Sequence, residues 1–230
     1  MGSPSSLTIE ITPQVLLKAY ACGIFPMAES ADDPTLYWIE PERRGILALD
    51  RVHVPRRLAR IIKQNKFEIR IDSAYEDVIE GCASARAGRR TTWINKRIRE
   101  LYAELFDMGY CHTVEAWLDG KLAGGLYGVA LGQAFFGESM FSYESGASKV
   151  ALIYLVARLR YGGFCLLDTQ FVTDHLRQFG AQEISRTAFH RRLEQALQGL
   201  GEFGRLPAGT CGTGILQLVS HTSNVGCSTA

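Results

Sequence analysis

Two carboxylates stand where a folded chain tolerates them least. Glu138 lies in FFGESMFS (135–142), among three phenylalanines and a methionine, and no lysine or arginine occurs from Leu122 to Ser148. Asp168 lies in CLLDTQF (165–171), an equally apolar run. An ionised carboxylate buried without a partner costs roughly several kcal/mol, so such residues need a reason to be there. One reason is chemistry: an acid in apolar surroundings can be tuned to move a proton or to hold a cation. Another is structure, because either acid could cap a turn or pair with an arginine distant in sequence. Gln170 tilts the balance toward a site. It sits two residues after Asp168, on the same face of a strand, and its amide can both accept and donate.

Trp93, in RRTTWINK, is the other residue in unusual company. Arg89, Arg90 and Lys96 flank it, which suits a ring that stacks on a base while cations neutralise phosphates. A tryptophan that merely anchors a loop fits equally well. The apolar residues around the acids, among them Phe135, Met140, Leu152 and Val156, read as core when taken alone. Several signatures are missing: no phosphate-binding G-x-x-x-x-G-K-[ST], no G-x-G-x-x-G, no G-x-S-x-G elbow and no metal-ligand spacing. RQFGAQ (177–182) approaches the acyl-CoA pyrophosphate loop but lacks its last small residue.

These residues must be positioned by a chain that changes texture midway. TPQVLLKAYACG predicts a first helix, with Thr12 as N-cap, Pro13 in the first turn and Gly23 past the end. Residues 24–45 read as loop. Helices follow in VPRRLARIIKQNK from Pro55, in DSAYEDVIEGCAS with Asp72 as cap, and from Asn95 to Gly109. HTVEAWLDGKLAGGLYGVALGQAFFGESMFS alternates β-formers with Asp-Gly and Gly-Gln turns, the pattern of an antiparallel meander. GASKVALIYLVARLR predicts a helix buried on most sides, and FCLLDTQF a buried strand. Thr173 caps a short helix that ends at Gly180, and Ser185 caps another over about 187–198. From Gly199 the periodicity fades and the sequence predicts a flexible tail, 199–230. Helices, a meander and a helix–strand–helix unit make an α+β fold, a mixed α/β sandwich around one sheet.

Composition narrows the function classes. The 230 residues carry six irregularly spaced cysteines and no apolar run of the roughly 20 residues a membrane helix requires. The start has neither basic nor apolar signal character, and the cysteines form no C-x-x-C pair, so a reduced, metal-free, cytoplasmic protein is expected. Net charge is only +1, yet residues 43–99 hold 15 of the 25 basic residues against six acids. So uneven a distribution is the footprint of a polyanion-binding face, or of two halves that neutralise each other.

Taken together, LLKAYACGIFPM (16–27), WIEPERRGIL (38–47), VIEGCA (78–83), TWI (92–94), GGLYGVALGQAFFGESMFS (124–142), ASKVAL (147–152) and LLDTQFVTDHLRQFGA (166–181) resemble the leucyl/phenylalanyl-tRNA–protein transferases. The resemblance runs over about residues 12–198, with its motifs in order. It implies transfer of Leu, Phe or, less well, Met from aminoacyl-tRNA to proteins that begin with Arg or Lys, marking them for N-end-rule degradation. It also implies a small N-terminal domain (8–45), a GNAT-type acyltransferase domain (46–198), a monomer, and no CoA, ATP or metal.

Residue by residue, the resemblance assigns Asp168 to orient Gln170, and Gln170 to assist proton removal from the attacking amine or to steady the tetrahedral intermediate. Glu138 would hold the catalytic geometry and attract the incoming positively charged N-terminus. The aminoacyl pocket maps onto Leu126, Phe135, Met140, Leu152 and Leu159. Trp93 matches a tryptophan near the terminal adenosine, and Arg56, Arg57, Lys63 and Lys66 match an acceptor-stem surface. Met27 stands where many members have tryptophan, a stretch before the first helix is shorter than usual, and RRTTWIN replaces an acidic-Gly-Thr-Trp-Ile pattern. A CoA-dependent N-acetyltransferase and a non-catalytic RNA-binding module remain the alternatives on these residues alone.

Overall fold

A computed structural model of the chain describes residues 11–84 and 92–220. Arg89 and Arg90 therefore lie outside the described residues. Seven strands form one mixed sheet in the order β4-β5-β6-β7-β8-β3-β9. They are β3 (Arg43–Ile46), β4 (Glu68–Ile71), β5 (Cys111–Leu118), β6 (Lys121–Leu131), β7 (Ala134–Ser142), β8 (Leu166–Gln170) and β9 (Gln182–Ser185). The expected meander is β5–β6–β7, paired antiparallel throughout. β7 and β8 are parallel, and α5 (Ala147–Tyr161) supplies the crossover that parallel neighbours require. A separate two-stranded ribbon, β1 (Phe25–Met27) with β2 (Tyr37–Ile39), precedes the sheet in a stretch that reads as loop.

Strand alternation splits the interior in two. Leu126, Phe135 and Leu167 point to α5, whereas their neighbours Tyr127, Phe136 and Leu166 point to the opposite core. That second core is built from α1 (Pro13–Ala21), α3 (Tyr75–Ala83), α4 (Lys96–Asp107) and α7 (Arg186–Leu197). The result is helices on both faces of a sheet, the α+β sandwich expected. Thr12, Asn95 and Ser185 accept first-turn amides of α1, α4 and α7, and Thr173 does the same for the four-residue α6 (Asp174–Arg177).

Two expectations need correction. Asp72 does not cap α3. Its carboxylate takes the Thr113 amide and His112, while Glu115 of β5 accepts the Ser73 and Ala74 amides just before the helix. A charged acceptor from the neighbouring strand displaces the local one. β3, which spans the expected boundary at 45/46, is hydrogen-bonded on both sides within the main sheet. Residues 203–220 are not a flexible tail. Phe203–Arg205 make a short 3-10 turn and Gly212–Ser220 make α8, with Phe203, Leu206, Ile215 and Val219 buried in the α5 core. Residues 221–230, the end of the expected tail, lie outside the described residues.

Candidate active site

Glu138 sits at a β-bulge. Tyr127 pairs with Ser139 and Gly128 with Gly137, so Glu138 is the extra residue with no opposite number on β6. A side chain at Gly128 would collide with the Phe136 carbonyl and the Phe135 ring, so glycine is what lets the bulge close. Alternation from Phe136 directs Glu138 to the α1/α4 side, where it is 8% exposed. Three donors meet it there. Tyr20 Oη donates to Oε1 at 2.6 Å, Tyr102 Oη to Oε2 at 3.1 Å and Gln170 Nε2 to Oε1 at 3.0 Å. The Tyr20 and Tyr102 hydroxyls also lie within hydrogen-bond reach of one another, and with one proton each they fill only two of the three contacts unless Glu138 itself carries a proton.

The electrostatics of this cluster compete. Burial pushes the Glu138 pKa up and the three hydrogen bonds pull it down; with Asp168 repelling from nearby, the balance is about 7. Tyr20 and Tyr102 are pushed well above the usual phenol range, first by burial and then by the Glu138 charge, so both remain donors.

Asp168 is partnered differently. Arg44 of β3 grips it in a fork, Nε to Oδ1 at 2.9 Å and Nη2 to Oδ2 at 2.6 Å, and both side chains are essentially inaccessible. The third edge of the guanidinium donates to the Gly23 carbonyl at 2.9 Å, and the rings of Phe25 and Phe189 lie 4.5 Å from its carbon on either side. The distant arginine that sequence left as an alternative for Asp168 is thus Arg44. Asp168 Oδ1 also accepts the backbone N–H of Gln170 at 2.9 Å. Gln170 holds φ at +60°, a conformation that disfavours side chains, and the carboxylate fixes it there. Opposite it, Gly45 leaves the room, since a Cβ there would come within 2.8 Å of the Phe171 carbonyl carbon.

A cavity of about 520 Å³ opens beside this cluster, lined by Glu138, Gln170 and Thr169 and by a mostly apolar wall. Leu126, Met140 and Leu152 line it as expected, with Met27 and Trp93. Phe135 and Leu159 do not. Phe135 packs in the α5 core, stacked on Phe203 at 5.6 Å, and Leu159 lies two turns beyond Leu152, about 10 Å farther along α5. Leu155 and Leu167 line the cavity instead. The i, i+3 spacing from Leu152 is the signal that points to Leu155. Among the described residues, three that line this cavity, Tyr127, Thr169 and His175, each carry a buried side-chain polar atom without a protein partner.

Arg56, Arg57 and Lys63 are exposed on α2 (Arg56–Lys63), and Lys66 just after it. Ile61 of α2 lies against Gly146, which caps the cavity end of α5. Part of the positive excess of 43–99 is spent on acids outside the segment, on Asp168 by Arg44, Glu183 by Arg43 and Glu100 by Lys96 and Arg97. Among the described residues Arg56, Arg57, Lys63 and Lys66 form no ion pair, so α2 presents unpaired positive charge at the surface.

A family model described as leucyl/phenylalanyl-tRNA protein transferase matches residues 46–194, and one for the N-terminal domain of that family matches 9–42. Two curated relatives, each called leucyl/phenylalanyl-tRNA–protein transferase, come from Nitrobacter winogradskyi and Rhodopseudomonas palustris strain BisB18. The first is 59% identical over 89% of this chain and 91% of that protein, the second 55% identical over 98% and 99%. A solved structure of the C-terminal domain of a putative lysylphosphatidylglycerol synthetase from Agrobacterium fabrum aligns at a TM-score of 0.40 and 11% identity, covering 83% of this chain and 60% of that one. Among the described residues no helix is long and apolar enough to cross a membrane.

Proposed function

The chain belongs to the leucyl/phenylalanyl-tRNA–protein transferase family, and from that premise we propose that it transfers Leu or Phe, and Met less well, from aminoacyl-tRNA to the N-terminal Arg or Lys of cytoplasmic proteins. The observation that carries the assignment of roles is the contact of Gln170 Nε2 with Glu138 Oε1, 3.0 Å, at the edge of the apolar cavity. With one N–H of its amide held by Glu138, Gln170 has its side-chain oxygen turned in a defined direction and available as an acceptor for the attacking α-amine. The aminoacyl ester is already activated, so placing amine and carbonyl together supplies much of the rate, on the order of 7–11 kcal/mol.

In this scheme the transferred side chain sits against Leu126, Met140, Leu152 and Leu155, and Trp93 meets the terminal adenosine. An apolar wall of this kind separates Leu from Phe or Met by only about 1–3 kcal/mol per methylene, which suits a short list of related donors. As the amine attacks the ester carbonyl, the N–C bond forms and the bond to the ribose oxygen breaks. The amine loses a proton and the leaving ribose oxygen gains one. Glu138 is the group near Gln170 whose pKa, about 7, allows it to take up and return that proton at neutral pH. Asp168, held by Arg44, acts on the backbone of Gln170 and is a positioning residue.

The decisive experiment is transfer of labelled Leu or Phe from charged tRNA to proteins that begin with Arg or Lys. Incorporation that survives alkaline ester hydrolysis is expected for those acceptors and not for the same proteins beginning with Asp. Equal incorporation into both would overturn the acceptor assignment. The α2 surface makes a second expectation. Arg57→Gln and Lys63→Gln should each weaken tRNA binding and flatten its dependence on log salt by roughly 0.7–0.9. Filter binding of tRNA from low to high salt measures this, and an unchanged slope in both variants would remove α2 from the tRNA surface.

A further inference from the structure

A second cavity, about 880 Å³, lies between the sheet's edge strand β4, another face of α5, and the segment 204–211 that leads into α8. Its volume is in the range that small ligands fill, roughly 300–1,000 Å³. Phe67, Tyr154, Leu206 and Ile215 give it apolar walls. Arg158 also lines it, and is only 7% exposed.

The charge balance there does not close. Arg158 Nη1 donates to the Phe203 carbonyl at 2.8 Å, and among the described residues the guanidinium makes no ion pair. Asp72, the acid whose field reaches it, makes no ion pair with it, its oxygens being directed to His112 at 2.8 Å and to the Thr113 amide, so it offsets the guanidinium only from a distance. The other cation at the cavity, Arg70, is neutralised in a fork by Glu68 at 2.7 and 3.1 Å. Burial pushes the Arg158 pKa down, the mark of a charge the protein alone does not compensate. A buried charge of this kind is retained when something pairs with it. The N-terminus of α8 also opens on the cavity through Cys211, and its dipole favours the same sign of ligand.

We infer that this cavity binds a small monocarboxylate with an apolar body, its carboxylate paired with the open edge of the Arg158 guanidinium. One uncompensated positive charge matches one negative charge, and the planar fork matches a carboxylate. The walls match an aliphatic or aromatic body.

Isothermal titration of the full chain with 3-phenylpropanoate and with its neutral amide tests this without any substitution. The acid is expected to bind at one site and the amide about tenfold more weakly. Arg158→Gln should bring the acid down to the affinity of the amide. Leu152→Trp, which fills the aminoacyl cavity, should leave the acid's affinity unchanged. Absence of saturable binding, equal affinity for acid and amide, full competition by equimolar inorganic phosphate, or loss in Leu152→Trp in place of Arg158→Gln would each overturn the proposal. If Arg158→Gln does not fold, the acid–amide pair and the Leu152→Trp arm still decide it.

Discussion

Replacing Arg44 by methionine is expected to destabilise the protein by about 3–5 kcal/mol and to abolish measurable transfer. The substitution leaves Asp168, which is fully buried, without its counter-ion. It also removes the bond to the Gly23 carbonyl and the cation between the Phe25 and Phe189 rings, so the turn after α1, the ribbon strand β1 and helix α7 lose a common anchor. Total stability of a domain is about 5–15 kcal/mol, so the loss is a large fraction of it. Arg44→Lys should recover part of the stability through its charge, but a lysine cannot make the fork. The informative companion is Arg44→Met with Asp168→Leu. Removing both charges should restore much of the stability, because an apolar replacement of a buried pair is often neutral. Transfer should stay lost, because nothing then holds the Gln170 amide. Urea unfolding and single-turnover transfer separate the two effects. An unfolding midpoint for Arg44→Met that equals the parent's would show that the pair carries no such weight.

That pair also shows how far sequence reasoning reaches. Glu138, Asp168 and Gln170 were legible because their own neighbours are so apolar, and context within five residues is something a sequence displays. Their partners were not. Tyr20 and Tyr102 lie 118 and 36 positions from Glu138, and Arg44 lies 124 from Asp168. Tyr20 and Tyr102 occupy core positions of amphipathic helices, beside Leu16 and beside Ile98, Leu101 and Leu105, where a tyrosine reads as one more large apolar residue. Arg44 stands beside an exposed arginine in RRGI, and nothing local separates the two.

The same contrast runs through the fold. Helices with a cap and a periodic face, and a meander with Asp-Gly punctuation, were readable because the code for them is local. β3, β4 and β9 are four residues each, too short to show an alternation, and become strands only through their neighbours. α8 is the clearest case. GTGILQLVS has weak helix propensity, and its helix is held from outside. Asn65 accepts the Gly212 amide at 2.8 Å, Arg160 donates to the Val219 carbonyl at 2.6 Å, and a Cβ at Gly212 would strike the Ile62 carbonyl. The misplaced pocket residues follow the same logic. Phe135 became core because Phe203, from the stretch that reads as tail, stacks on it.

Glu138→Gln carries the other large effect, and pH separates its two sides. The folded protein raises the Glu138 pKa from about 4.5 to about 7, so folding favours the protonated carboxyl. Its contribution to stability is fully present below about pH 4.5 and is lost as pH rises through 7, a change of about 3 kcal/mol for such a shift. The parent's unfolding free energy should therefore fall between pH 5 and 8, and the Gln variant's should be flatter over that window. Catalysis should run the opposite way. The carboxylate is the proton acceptor, so transfer should rise through pH 7 in the parent, with the acceptor's α-amine adding a second limb near its own pKa of about 8. In Glu138→Gln the limb near 7 should vanish, the limb near 8 should remain, and the plateau rate should drop by about 10²–10⁴. Gln170→Ala should lose a comparable factor, about 2.7–4 kcal/mol, while keeping a Glu138 limb that moves above 7, because it removes an oriented acceptor and one of the hydrogen bonds that hold the Glu138 pKa down but leaves the titrating group in place. Single-turnover rates from pH 5.5 to 9 on the three proteins decide the matter. If the limb near 7 survives in Glu138→Gln, the proton passes through another group, and Glu138 is a scaffold for Gln170.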